Sequence, residues 1–177
     1  EKGPELIAWM QDGHDLACVS DAGLPGICDP GSHLAQLAIA AGLRVTPLPG
    51  ANAGLSALIC SGLDTTRFTF VGFLPKTAKK AQDVLEDVKG RTDTLIFYEA
   101  PHHLKKTLKA MKDVLGPTRQ ATFGRELTKR FEEFHRGTLA ELAAFYEENE
   151  PRGEFVIVVA GCGEEAAEVV EEKPQDP

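Results

Sequence analysis

The sequence predicts an α/β protein, and three observations predict it. Short β-rich runs alternate with segments of helical spacing along most of the chain. Gly- and Pro-rich loops follow the first two of those runs. With 42% hydrophobic residues among 177, the chain can bury a core in one large domain or two small ones.

The elements follow in order. Residues 14–19, His-Asp-Leu-Ala-Cys-Val, read as a short buried strand, and the stretch Ser20 to Gly31 that follows can continue neither strand nor helix. Leu34, Leu37 and Ala38 give residues 32–41 a helical spacing that stops at Gly42, and residues 43–48 read as a second strand. After Pro49-Gly50 a helix of small residues spans 52–62, and Phe68 to Phe73 is again β-rich. Beyond Pro75 charged amphipathic helices at 77–89 and 101–115 alternate with strands at 94–98 and 119–125. A strand at 131–137, a helix at 139–148 and a strand at 154–160 complete the pattern. The last is the most apolar run and is expected to be central and buried. The shift in composition sets a domain boundary near residue 74, giving domains 1–73 and 74–161, with an acidic, mobile tail over 162–177.

Composition excludes several classes. No run approaches the roughly 20 apolar residues that span a bilayer, and Glu1-Lys2-Gly3-Pro4 is not a signal peptide. The start reads as trimmed. Cys18, Cys28, Cys60 and Cys162 form no C-x-x-C pair, so they read as small buried hydrophobes of a reduced, cytoplasmic protein, and no metal is expected. Trp9, Phe131 and Phe134 read as packing residues. The net charge of -8 conceals a middle segment, residues 66–136, that holds 15 of the 19 Lys and Arg and carries +6. That segment can face phosphate, or it can consist of solvated helix faces.

Chemistry is expected at the two loops. Open α/β sheets bind ligands beyond the carboxyl ends of their strands. In Ser20 to Gly31 the glycines admit close approach of backbone amides, Asp21 and Asp29 can accept hydrogen bonds, and Pro25 and Pro30 hold the shape. Pro47-Leu48-Pro49-Gly50-Ala51-Asn52-Ala53-Gly54 is the second loop; on parallel strands the two line one crevice. Neither loop carries a Walker or dinucleotide fingerprint.

Six ordered blocks carry a resemblance. They are Val19 to Gly23 with Pro25 and Asp29-Pro30-Gly31, Pro47 to Gly50, Gly72-Phe73-Leu74-Pro75, Leu95 to His103, Arg125-Glu126-Leu127-Thr128-Lys129, and Gly153-Glu154. In order and spacing the chain resembles the ribosomal RNA small subunit methyltransferase I family of the tetrapyrrole methylase superfamily, over roughly residues 5–161. The resemblance implies a two-domain α/β enzyme, with a parallel-sheet N-terminal domain and a mixed sheet in the second. It implies that S-adenosylmethionine lies between the domains, that the protein is a homodimer, and that the substrate is the 2′-hydroxyl of a cytidine in 16S rRNA or the small ribosomal subunit. Carried over by motif, the cofactor residues are Ser20, Asp21, Ala22, Gly23, Pro25, Ile27, Pro49, Gly50, Ala51, Asn52 and Tyr98. Family members also begin with a further strand and helices, including a Thr-Pro-Ile-Gly-Asn type of loop and a downstream Asp-Thr-Arg. Neither occurs here, so the chain is expected to be a fragment with an incomplete first domain.

A ribose hydroxyl is a poor nucleophile, so a base that takes its proton as the methyl bond forms is useful. Glu99, His102, His103, Glu126 and Lys129 are the candidates, and Lys129 would need a lowered pKa. Local alternatives stay open: Glu99 as a cap, the histidines as solvent-facing, Arg125 and Glu126 as an ion pair. Lys76, Lys79, Lys80, Arg125, Arg130 and Arg136 are candidates for RNA phosphates. A tetrapyrrole or other small-molecule methyltransferase is one alternative, disfavoured by the basic middle segment. A non-catalytic RNA-binding module is another.

Overall fold

The computed structural model describes residues 2–163, so most of the acidic tail lies outside the described residues. The chain forms two compact units that divide between Asn52 and Ala53.

In the first unit, helix α1 (Gly3–Gln11) has a proline in its opening turn, where the missing N–H is no loss. Sequence periodicity did not single this helix out. Helix α2 (Ser32–Ala40) starts after Gly31, whose φ of 129° favours glycine. The two helices pack closely enough that a Cβ on Gly3 would stand 2.6 Å from the Leu37 side chain. Trp9 is 44% exposed and stacks on His14. Residues 14–19 and 43–48, expected as strands, form no ladder among the described residues. A strand is held by a neighbour's hydrogen bonds, and propensity alone does not supply them. Val19 is 83% exposed, which corrects the buried-strand reading of 14–19, and Leu48 at the end of the second segment is 79% exposed.

The second unit opens with helix α3 (Ala53–Ile59), shorter than the 52–62 expected because the chain turns at Cys60 to Gly62. Then come strand β1 (Phe68–Phe73), helix α4 (Ala78–Val88), strand β2 (Thr94–Glu99), helix α5 (Pro101–Leu115), strands β3 (Gln120–Arg125) and β4 (Glu133–Thr138), helix α6 (Leu139–Glu148) and strand β5 (Phe155–Val159). The strands form one mixed sheet in the order β1-β2-β5-β3-β4. β1 and β2 are parallel, and β5 runs antiparallel to both β2 and β3. Strand β1 thus belongs to this sheet and not with the segment before it, so the contact boundary falls earlier than residue 74.

β5 is buried along its whole length, as its apolar run requires. Leu95, Phe97, Phe123, Phe155 and Ile157 face a core closed by α4, α5 and α6, while Ile96, Val156 and Val158 face α3 on the other side. Thr138 caps α6 through a reciprocal bond pair with Glu141. A register shift between Phe70 and Gly72, where Gly72 has φ 74°, marks a bulge that re-aims the end of β1. Of the cysteines only Cys162 is buried; Cys18, Cys28 and Cys60 are exposed on loops and a helix end. Phe131, expected in the core, is 60% exposed in the link before β4, with Arg130 over its ring.

Tyr146 stacks with Phe123 and meets Phe155 edge-on in the larger core, but its hydroxyl has no partner among the described residues, and burial pushes its pKa up to about 12. An unsatisfied buried hydroxyl costs about 1–3 kcal/mol, so Tyr146→Phe should leave stability unchanged or raise it. Phe123→Ala should cost about 3–5 kcal/mol in the same core. Urea unfolding of both variants checks the contrast.

Candidate functional site

The antiparallel pairing of β5 with β2 and β3 makes β1, β2 and β3 run the same way, so their carboxyl ends share one edge of the sheet. Three of the blocks noted in the sequence leave from that edge: Leu74-Pro75-Lys76 after β1, Ala100 to His103 after β2, and Glu126 to Lys129 after β3. Gly153-Glu154 enters β5 at the same edge, where Phe155 pairs with both Glu99 and Arg125. In an α/β sheet this is the edge at which ligands collect.

The tightest part is the link after β3. Glu126 has φ 49° and Thr128 has φ 62°, a left-handed conformation that costs non-glycine residues on the order of 1 kcal/mol or more each. Hydrogen bonds hold it there. Glu126 N–H donates to the Glu154 carbonyl (3.0 Å), Glu154 N–H donates to Glu126 Oε1 (2.9 Å), and Thr128 N–H donates to Glu132 Oε2 (2.6 Å). Lys129 Nζ donates to Glu154 Oε2 at 2.8 Å and to Glu126 Oε1 at 3.0 Å. These two bonds, Glu154 first, raise the Lys129 pKa, so the ammonium keeps its proton and the residue does not meet the requirement for a base. Glu126 is shifted down, first by the Glu154 N–H and then by Lys129.

The residues after β2 separate by face. Tyr98 lies on the α3 side: its hydroxyl accepts from Gly54 N–H at 3.0 Å, and Phe70 and Phe73 meet its ring edge-on. Glu99 points to the opposite side, towards α5, as the two-residue period of a strand dictates. Its Oε1 accepts from Ala100 N–H (2.8 Å) and its Oε2 from the Thr107 hydroxyl (2.5 Å), so it tethers the first turns of α5. Tyr98 and Glu99 therefore do not line one pocket. His102 is exposed and His103 half-buried on the first turn of α5, their rings 4.2 Å apart.

Of the cations expected at phosphate, Lys76, Lys79, Lys80 and Arg130 are exposed. Arg125 is tied to Glu133 (2.6 Å) and to the Arg152 carbonyl (2.7 Å), while Arg136 donates to the Cys60 carbonyl and lies over the Phe134 ring. Those two guanidiniums serve the fold. Arg125 pairs with Glu133 and not with Glu126.

In the first unit the two Gly- and Pro-rich loops meet. Leu24 N–H donates to the Ala51 carbonyl at 2.9 Å, and the Ser20 hydroxyl donates to the Gly23 carbonyl at 2.8 Å. Gly23 has φ 74°, and a Cβ there would stand 2.5 Å from the Ala51 oxygen, so only glycine allows this contact. Asp21, Ala22, Ile27, Pro49, Gly50 and Ala51 are exposed along the joined loops, whereas Ser20, Pro25 and Asn52 are half-buried. Among the described residues no group of three His, Cys, Asp or Glu side chains is placed to hold a metal ion.

Residues 4–143 match the model of the tetrapyrrole (corrin/porphyrin) methylases. The chain belongs to this family. Among its curated relatives, the ribosomal RNA small subunit methyltransferase I of Bacillus subtilis is 48% identical over 171 residues, covering 97% of this chain and 58% of the relative. Its counterpart in Pseudomonas aeruginosa is 47% identical over 163 residues, covering 91% and 58%. The chain thus spans a little over half the length of these relatives. Among solved structures, the methyltransferase CobJ superposes with a TM-score of 0.67 at 20% identity, covering 91% of this chain and 70% of that one. A uroporphyrin-III C-methyltransferase from Thermus thermophilus, in complex with S-adenosylhomocysteine, superposes at 0.60 and 16% identity, covering 93% and 73%. These likenesses give the tetrapyrrole methylase fold, an α/β architecture with a mixed sheet.

Several residues of the sheet edge were not singled out one by one in the sequence. Thr107 and Phe70 sit inside ordinary helix and strand patterns, whereas Gly153-Glu154 carried a signal in its fixed place before the last strand. Gly153 has φ 78°, and a Cβ there would collide with the Glu126 side chain. Gly153→Ala should therefore undo the Glu126–Lys129 link, read as faster amide exchange at Glu126 and Glu154 with the core exchange unchanged. A carboxyl shifted down stabilises the fold above its unfolded value of about 4.3, and that contribution is lost as pH falls through the lower folded value. Glu126 should accordingly titrate below the ordinary carboxylate value by NMR. In Lys129→Met its midpoint should rise only partway, because the Glu154 N–H, the larger cause, remains.

Proposed function

We propose that the chain is part of an S-adenosylmethionine-dependent methyltransferase that modifies the 2′-hydroxyl of a cytidine ribose in 16S rRNA. The observation that carries this reading is the near-half identity to the RNA methyltransferases, taken with the convergence of the shared blocks on the joined loops and on one sheet edge. A cytoplasmic homodimer that meets the RNA within the small ribosomal subunit belongs to the same proposal. So does a division of labour in which residues 1–73 serve the cofactor and 74–161 the RNA.

The joined loops suit the cofactor by their donor set. Asp21 offers an exposed carboxylate to an ammonium or a ribose hydroxyl, and Ala22, Gly23, Gly50 and Ala51 leave the backbone open to a flat nucleoside. Ser20, Pro25, Ile27, Pro49 and Asn52 frame those positions. When bound, the cofactor would supply a methyl group activated on a sulfonium, with the sulfur as leaving group. The chain's task is to hold the ribose oxygen in line and to take its proton. Among the candidates, Lys129 stays charged and Glu126 is a weak base, so both act by fixing the link after β3. Glu99 positions α5. Of the two remaining candidates for the proton, His102 and His103, the exposed His102 is the more open to an approaching ribose.

Calorimetric titration of S-adenosylmethionine into this chain, and into a version lengthened to match its relatives, tests the assignment. Binding is expected at the joined loops, weakened tenfold or more by Asp21→Ala and abolished by Gly23→Val. Transfer of labelled methyl to 30S subunits by the longer version is expected to fall a hundredfold or more in His102→Ala with cofactor affinity unchanged. Absence of cofactor binding by both forms would overturn the reading.

A further inference from the structure

Helices α4 and α5 do not close against each other along their outer faces. Between them lies a groove of about 420 Å³, within the range of small-molecule sites. It stays open because the facing positions are small: Ala78 and Ala81 on α4, Ala110 on α5. Gln82, Thr107 and the buried Glu99 supply polar atoms along its wall and floor.

The groove is electrically polarised. α4 and α5 each return from the carboxyl end of a parallel strand, so both begin at the edge that carries the Glu126–Lys129 link. Residues 74–82 hold three lysines and no acid, and residues 100–112 hold four lysines, two histidines and no acid. Lys76, His103, Lys106 and Lys109 from these stretches line the groove. On the helices themselves acids enter only further along, where Glu86 and Asp113 line the groove; at the basic end the Glu99 carboxylate is buried and accepts from Ala100 N–H and the Thr107 hydroxyl. At 1.5 Å per residue, the seven residues from Lys106 to Asp113 put about 10 Å between the basic and acidic parts. The amino ends of both helices add partial positive charge at the basic end. This layout suits a ligand with an anionic group at the sheet edge and a flat, mostly apolar body that reaches inwards. A nucleotide of single-stranded RNA has that form.

We propose that the α4–α5 groove binds one nucleotide of the substrate RNA outside the reacting residue, its phosphate against Lys76 and Lys106 at the basic mouth and its base between the alanines. This rests on the RNA reading above and adds to it a second anchoring site, one that shares the sheet edge with the Glu126–Lys129 link.

The test is fluorescence anisotropy of a labelled ten-nucleotide cytidine RNA with this chain, over a range of salt. Lys76→Glu/Lys106→Glu should weaken binding at least tenfold and flatten the dependence of log affinity on log salt by about 0.7, the value for one phosphate contact on a single strand. Lys89→Glu/Lys112→Glu changes the net charge equally, lines no part of the groove and should have a several-fold smaller effect. Ala81→Leu, which fills the groove without altering charge, should weaken the cytidine RNA several-fold and leave an abasic oligomer of equal length unchanged; circular dichroism checks that the variant is folded. Equal losses in the two charge-reversed pairs, or an Ala81→Leu variant that binds as the parent does, would overturn the groove while leaving the methyltransferase reading intact. Failure of the parent chain to bind the RNA would overturn it too, because every lining residue is present here. Cofactor titration then remains the separate test of the enzyme.

Discussion

Strand β5 sets the organisation of the second unit. Its five residues are buried, and it is hydrogen-bonded antiparallel to β2 on one side and β3 on the other. Because both neighbours oppose the same strand, they are parallel to each other, and with β1 they send their carboxyl ends to one edge. Reversing either pairing would carry Glu126–Lys129 to the other end of the sheet, away from Ala100 to His103. The chemistry of the edge therefore depends on an apolar strand that takes no part in it.

Much of this was legible in the sequence, for a physical reason. Helices α4, α5 and α6 and all the strands of the second unit fall within a residue or two of expectation, since each buries one face and carries that period in its own residues. The two loops of the first unit were expected to line one crevice on parallel strands; the structure joins them through the Leu24–Ala51 hydrogen bond, without strands before them among the described residues. Residues 14–19 and 43–48 were not recoverable as strands, because a strand's existence depends on a partner and not on its own composition. The boundary near residue 74 followed a shift in charge, but β1 is held where its hydrogen bonds are, beside β2. Phe131 and three of the cysteines were placed inside on residue type alone, which says nothing about the link or helix end that carries them.

At the candidate site the sequence supplied the blocks but not their faces. Tyr98 and Glu99 are adjacent, so the strand period sends them to opposite sides, one into an aromatic cluster with Phe70 and Phe73, the other onto Thr107 at the root of α5. Arg125 and Arg136 illustrate the same limit. A cation in a basic stretch looks available, yet these two satisfy backbone carbonyls and a carboxylate within the fold. Lys79 and Lys80 on the first turn of α4 and Lys106 on α5 are exposed, so the availability they show in sequence persists in the structure, whereas Lys105 pairs with Glu150.

An acidic chain that meets a polyanion must separate its charges in space, because at physiological salt fields fade over about 8 Å. The net of -8 therefore matters less to an approaching phosphate than the local arrangement. The amino ends of α4 and α5 concentrate lysines without acids, and Glu86 and Asp113 stand further along the same groove. On the proposed RNA reading, that gradient attracts a phosphate at the sheet edge and opposes its sliding inwards, which orients the nucleotide as well. The link after β3 is arranged differently: Lys129 lies between Glu126 and Glu154, its charge compensated within the protein. The edge thus combines exposed lysines that can exchange water for phosphate with a compensated lysine that fixes backbone. Of the two, only the first can contribute to the salt dependence of RNA binding.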